Sequence, residues 1–235
     1  MNMTLIVPIS ADRPEYEVKL PYVFTQDSDG TMLCVKSILG LPLEQFNNIF
    51  FVILRKHDEH YFIKEQLLLQ FRRFNLTNAQ IITLDEPTSS QAETIVRAIK
   101  SANIEGCIFI KDADGYFTAD EILQQNGVTV YPLEELSLVD PQHKSYVAVD
   151  DMNYITNIIE QRIVSHFFNA GGYCFEDATD FCKYYNKLKD YGPLYLSHII
   201  YAMMLDRYIF RPIDIKNYQD WELGRTITNG AVNKK

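Results

Sequence analysis

The sequence predicts a single α/β domain built on a doubly wound mixed sheet, mostly parallel. Three observations carry that reading. Short apolar runs rich in β-branched and aromatic residues alternate with segments of helical periodicity through the first half, the pattern of a parallel sheet covered on both faces. The second half strings strand-like runs together with little helical sequence between them, which adds an antiparallel or mixed extension to the same sheet. The 235 residues, 47% hydrophobic and 23% charged, suffice for one sizeable core, and no repeat or Gly/Ser linker marks a boundary.

In chain order, residues 4–9 read as a buried first strand, 30–41 as a helix and 49–54 as a second interior strand, because short apolar runs there stop at polar residues. Across 59–74 the apolar positions Phe62, Leu67, Leu68 and Phe71 recur near helical spacing. A strand over 79–84, a helix over 90–101 and a strand over 104–110 follow. The runs 128–131, 145–149, 154–159 and 167–175 are strand-like, helices resume at 178–189 and 194–205, and 208–213 reads as a last strand. The domain is expected to span 1–228, with the small polar residues 229–235 as a loose tail.

Charge narrows the function classes. Lys and Arg number 22 against 31 Asp and Glu, a net charge of -9, so the surface should repel nucleic-acid backbones. A small-molecule phosphate site stays open, since a few local cations, backbone N–H groups or a metal ion reverse the field inside one cleft. No stretch approaches the roughly 20 apolar residues of a membrane span, and residues 1–10 carry neither a basic lead-in nor a cleavage pattern, so a cytoplasmic protein is expected. Cys34, Cys107, Cys174 and Cys182 sit in apolar contexts typical of reduced core residues. The five histidines show no ligand spacing, with His57 and His60 read as a polar loop or helix start.

The most pointed candidate is the run from Phe109 to Phe117, where an apolar strand stops at Asp112 and Asp114. Strand residues two apart share a face, so both carboxylates can enter one crevice and hold Mg²⁺ or Mn²⁺ with a diphosphate. An Asp-rich turn that merely ends a strand is the competing reading. At Ser90, Gln91 and Glu93, a Ser-x-x-Glu capping box opens a helix whose free N–H groups can bind a base edge or an anion, although the same residues would cap any helix. After the first strand, Ser10 to Pro14 contains no glycine and makes a poor phosphate nest; Arg13 can still make a bidentate phosphate contact. Gly171 and Gly172 interrupt a strand, marking a bulge or a close approach, and Glu160 ahead of them can accept from sugar hydroxyls.

Taken in order, these segments resemble the sugar nucleotidyltransferase family, whose nucleotide-diphospho-sugar transferase fold is also that of the GT-A glycosyltransferases and is Rossmann-like. The run Leu5 to Ser10 looks like the family's first strand, Ser90 to Thr94 like its nucleobase-contacting segment, and Lys111 to Asp114 like its metal-bearing strand end. Glu160, the run Asn169 to Phe175 and the run Tyr218 to Trp221 resemble its sugar-pocket glutamate, its Gly-Tyr-x-Phe strand and its closing Asp-Trp element.

The resemblance implies attack by a sugar-phosphate oxygen, or that of a related phosphorylated alcohol, on the α-phosphate of a nucleoside triphosphate, with pyrophosphate released, in polysaccharide precursor synthesis. Arg13, Lys19 and Asp114 would be catalytic; Pro8, Ser10, Ser90, Gln91, Glu93 and Asp112 would bind nucleotide. Glu160, Gly171, Gly172 and Asp220 would bound the sugar, and Asp112 with Asp114 would hold Mg²⁺ or Mn²⁺. The sequence departs from the family pattern where a Gly-x-Gly-x-Arg loop should stand, keeping only the arginine, and Leu20 takes the expected lysine position with Lys19 one residue early. Two alternatives follow: a GT-A-type glycosyltransferase using a finished nucleotide-sugar, or a non-catalytic nucleotide-sugar-binding protein. With 15 Tyr and 14 Phe, aromatic surface for a homo-oligomer interface is also expected.

Overall fold

The computed structural model describes residues 2–136 and 144–221. The expected tail, and residues 222–228 of the expected domain, lie outside the described residues.

Strand β1 (Met3–Ile9) sends Leu5, Val7 and Ile9 into one apolar layer and Ile6 into the other. β2 (Asn48–Leu54) divides Phe51 and Ile53 from Phe50, Val52 and Leu54 in the same way. Strands apolar on both faces belong inside a covered sheet, and β1 is central, parallel to β2 on one side and to β4 (Cys107–Lys111) on the other. β3 (Ala79–Leu84) extends the parallel half beyond β2. On the far side of β4, β9 (Phe167–Phe175) and then β6 (Gly127–Pro132) pair antiparallel in turn, and β10 (Arg211–Asp214) closes that edge parallel to β6. The order is β10-β6-β9-β4-β1-β2-β3, with a hairpin of β7 (Ser145–Val149) and β8 (Ile155–Glu160) attached to β9.

Helices cover both faces, as a doubly wound sheet requires. A short α1 (Leu33–Lys36) and α3 (Ile63–Arg73) lie in one layer, α3 burying Ile63, Leu67 and Phe71. The other layer holds α4 (Gln91–Ala102), α5 (Ala178–Leu188) and α6 (Leu196–Leu205), with Ile95, Ile99, Phe181, Ile199 and Met203 facing the sheet. Each such side chain contributes about 1.5–3 kcal/mol through burial. Among the described residues no helix is long and apolar enough to cross a membrane.

Several boundaries differ from the sequence reading. The helix expected over 30–41 is α-helical only at α1. The helix expected over 59–74 is two helices, α2 (Arg55–Tyr61) and α3, broken where Phe62 adopts φ 54° and Asp58 Oδ1 accepts from Lys64 N–H at 2.7 Å. Phe62 is 64% exposed, so the buried stripe starts at Ile63. β4 starts at Cys107 rather than 104, because Asn103 in the left-handed region and the Ile104 N–H bond to the Ile99 carbonyl end α4, a six-to-one helix stop. The last strand of the main sheet begins at Arg211, not 208. A second, two-stranded sheet, β5 (Gly115–Thr118) with β11 (Lys216–Asp220), was not anticipated, since β11 has no apolar alternation.

The turn that follows α1 packs against that small sheet. Gly40 passes so close to β5 that an added Cβ would lie 2.1 Å from the Phe117 carbonyl oxygen, and Ala119 N–H donates to the Gly40 carbonyl. Backbone cannot yield as a side chain can, so Gly40→Ala is expected to destabilise the fold by about 2–3 kcal/mol, read as a lowered urea midpoint with an unchanged m-value.

Chain direction places the site. From β1 the connections run outward to β2 and β3, and α4 then returns the chain to β4 on the other side of β1. Such a switch point opens a crevice beyond the carboxyl ends of the two strands. The β1–β4 ladder ends at Ile6 opposite Ile110, so Pro8 lies past it and removes no β4 hydrogen bond.

Candidate active site

A cleft of about 520 Å³ opens at that switch point. The end of β1 supplies Pro8 and Ile9, the following segment Arg13 and Tyr16, the start of α4 Ser89, Ser90 and Gln91, and the exit of β4 Asp112, Ala113 and Asp114. Tyr22, Phe24, Leu194 and Tyr195 form apolar walls.

Asp112 and Asp114 both line the cleft, carried there by the turn that follows β4 rather than by strand alternation. Burial and then the neighbouring Asp114 charge push the Asp112 carboxyl up to about 7, against the pull of Lys111. Gln91 Nε2 donates to Asp112 Oδ1, tying the helix start to the strand end. Gly171 makes this approach possible: at φ +85° its Cβ position lies 2.9 Å from Asp112 Oδ2, and its carbonyl accepts from Asp112 N–H at 2.8 Å. On the other side, Trp221 N–H donates to the Asp114 carbonyl at 3.2 Å, and Asp220 pairs with Gly115.

Beneath the aspartates, Lys111 is wholly buried. Its Nζ donates to the Asp112 and Gly115 carbonyls at 2.6 and 3.0 Å and stands 4.7 Å from the Phe117 ring centroid. Burial lowers its pKa to about 8, while the two aspartates oppose that shift. A lysine within an apolar strand is the one visible sign of this group in the sequence, and reading the run only for its acids passes over it.

At the β1 side, Ser10 is buried with its hydroxyl 2.7 Å from Thr94 Oγ1, so it joins β1 to α4 behind the cleft wall. Ser90 caps α4 by accepting from Glu93 N–H at 3.3 Å. The Glu93 carboxylate reaches one residue further back than a standard capping box, accepting from Ser89 N–H and Oγ, and also binds Arg97. The glycine-free segment after β1 is fastened to α2: Lys56 Nζ lies 3.1 Å from Asp12 and 3.3 Å from Glu17, His57 Nε2 lies 3.4 Å from Asp12, and Tyr61 donates to the Tyr16 carbonyl. His57 lines the cleft, and burial lowers its pKa against the opposing pull of Asp12. Its neighbours in sequence are polar, which hid its place on the inner face of α2.

The structure therefore brings together Pro8, Arg13, Ser90, Gln91, Asp112 and Asp114. It sets the other expected residues outside the cleft lining. Lys19 is exposed and Glu93 is engaged with Ser89 and Arg97. Glu160 accepts from Ser145 and Ser197. Gly172 packs on Thr129 and Phe109, and Gly171 lies behind Asp112. Asp220 is paired with Lys144. A hard cation would relieve the repulsion between Asp112 and Asp114, and two carboxylates with phosphate oxygens and water make a usual Mg²⁺ shell. No cluster of three or more His, Cys, Asp or Glu residues suited to a metal ion occurs among the described residues.

No family model and no curated protein matches the sequence. Solved structures do match. A nucleoside-diphosphate-sugar pyrophosphorylase from Vibrio cholerae RC9 superposes with a TM-score of 0.71 at 14% identity, covering 91% of this chain and 92% of that one. The inositol-1-phosphate CTP transferase from T. maritima superposes with a TM-score of 0.67 at 16% identity, covering 93% and 87%. With this strand order, the paired strand-end aspartates and these neighbours, the chain has the nucleotide-diphospho-sugar transferase fold that its sequence resembles.

Proposed function

We propose that the protein is a nucleotidyltransferase that moves a nucleotidyl group from a nucleoside triphosphate to a sugar phosphate or a related phosphorylated alcohol. The observation that carries this reading is the pair Asp112 and Asp114 facing the start of α4 across the β1/β4 crevice, with Gln91 joined to Asp112. The activities named for the two structural neighbours, pyrophosphorylase and CTP transferase, support the same reaction class. Synthesis of a polysaccharide precursor is the role this chemistry suits.

In the proposed reaction an acceptor phosphate oxygen bonds to the α-phosphorus, the bond to the β-phosphate bridging oxygen breaks, and pyrophosphate leaves with the electron pair. A phosphate monoester is already ionised near neutrality, so no protein base is needed; positioning and charge stabilisation make up the catalysis. Asp112 and Asp114 would hold Mg²⁺ or Mn²⁺, which when bound supplies charge neutralisation at the phosphates. Arg13 faces the cleft with half its side chain exposed and can pair with the departing pyrophosphate. Ser90 and Gln91 present the α4 start, where free N–H groups favour a base edge or an anion. Leu194 and Tyr195 wall the cleft opposite these groups.

A glycosyltransferase reading is favoured by one feature: the segment after β1 lacks glycine, is pinned by Asp12 to Lys56 and His57, and leaves Lys19 outside, so the cleft offers few cations to a triphosphate. Incubation with the four nucleoside triphosphates, Mg²⁺ and a panel of sugar phosphates separates the two. Pyrophosphate release is expected; metal-dependent binding of nucleoside diphosphates, with none of triphosphates and no pyrophosphate, would replace the first reading by the second.

A further inference from the structure

At the opposite end of the sheet from the cleft, a hollow of about 470 Å³ opens where β1, β2 and β3 begin. Alternation along these strands turns Thr4, Asn48, Phe50, Gln80 and Ile82 toward the α4 side, because Ile6, Val52 and Leu84 on the same faces pack in that layer. α4 stops short of covering them. Its buried stripe, Ile95 and Ile99, continues at Ala102, whose methyl is too small to fill the space, and Asn103 then turns the chain away at φ 48°. Thr4 is 2% exposed, yet its hydroxyl has no hydrogen-bond partner among the described residues, and the same holds for the side-chain amides of Asn48, Gln80 and Asn103.

We infer that this hollow is a second ligand site, for an uncharged sugar of one or two rings. Among the described residues no Lys, Arg or His lines it, and Glu105 is its one carboxylate. The last carbonyls of α4 add the negative end of the helix dipole, so anions are repelled. Side-chain amides donate and accept, as sugar hydroxyls do. Phe50 and Ile82 offer an apolar floor to the C–H face of a pyranose ring. The Thr4 hydroxyl, buried and unpaired, carries a desolvation cost that a ligand hydroxyl removes. The site requires no activity in the cleft, so either can fail without the other.

The test is titration of the nitrogen-15-labelled protein with maltose, cellobiose, lactose and N,N′-diacetylchitobiose, following the backbone amide shifts. At least one disaccharide is expected to move the Thr4, Gln80 and Asn103 amides saturably, with a dissociation constant of about 1 mM. Thr4→Val removes the hydroxyl at constant shape and breaks no protein hydrogen bond, so melting should be unchanged while the sugar binds about fivefold more weakly. Asn103→Gly, which keeps the left-handed helix end, should weaken it by a similar factor. Inorganic phosphate and putrescine should leave the three amides unmoved. No saturable shift there with any of the four sugars, shifts confined to the cleft, or an affinity unaltered in both variants would each overturn the inference. So would phosphate or putrescine moving the same amides in place of a sugar.

Discussion

Asp114→Asn is expected to lower the rate of pyrophosphate release by about 10²–10³-fold, the cost of removing one preorganised charge from a phosphoryl-type transition state. The exchange is isosteric, and the Asp114 backbone is held by the Trp221 N–H rather than by its own side chain, so the fold should be untouched. Thermal melting within a degree or two of wild type, together with the lost turnover, would assign the effect to chemistry. Nucleotide binding without metal should be unchanged, because the α4 start and Arg13 remain in place. Full activity in this variant would remove Asp114 from the mechanism.

The second large effect concerns pH and stability. Asp112 titrates near 7 in the folded chain, against an ordinary value of 3.8, chiefly because it is buried and then because Asp114 lies beside it. Between those values the native state keeps a proton that the unfolded chain has released. The stabilisation from this group is therefore complete below about pH 4 and is lost as pH rises through 7. The metal-free protein should accordingly melt several degrees below its Asp112→Asn variant at pH 8, with the gap closing toward pH 4. Adding Mg²⁺ at pH 8 should raise the wild-type melting temperature and leave the variant almost unmoved. Scanning calorimetry over pH 4–8 reads both; a gap that stays constant with pH would mean that Asp112 carries its charge without penalty.

Much of this site was legible because strand ends and helix starts announce themselves through local chemistry. The apolar run into Asp112 marks a strand end, and Ser90 with Glu93 marks a helix start, whatever the rest of the chain does. The order of such segments also sufficed for the doubly wound sheet. What stayed hidden depends on contacts between residues distant in sequence. Lys111 reads as a polar interruption until the Gly115 carbonyl is found above it. Lys144 reads as a surface lysine until β11 brings Tyr218 and Asp220 against it. His57 does fall at a helix start, but its inward face stayed hidden because α2 begins at Arg55, four residues before the helix inferred from apolar spacing. The missing β5–β11 sheet has the same origin, since Lys216 to Asp220 carries no periodicity and pairs only because β5 is already in place.

That late-sequence strand bears on how the protein becomes active as it is made. The central strands β1, β2 and β4 and the cleft-facing end of α4 all emerge from the ribosome within the first 112 residues, and such a unit can begin to condense while synthesis continues. The hydrogen bond to the Asp114 carbonyl comes from residue 221, more than a hundred positions later. A nascent chain can thus own a nearly finished crevice while its acidic centre is still unbraced, and the brace arrives only after more than a hundred further residues have been added.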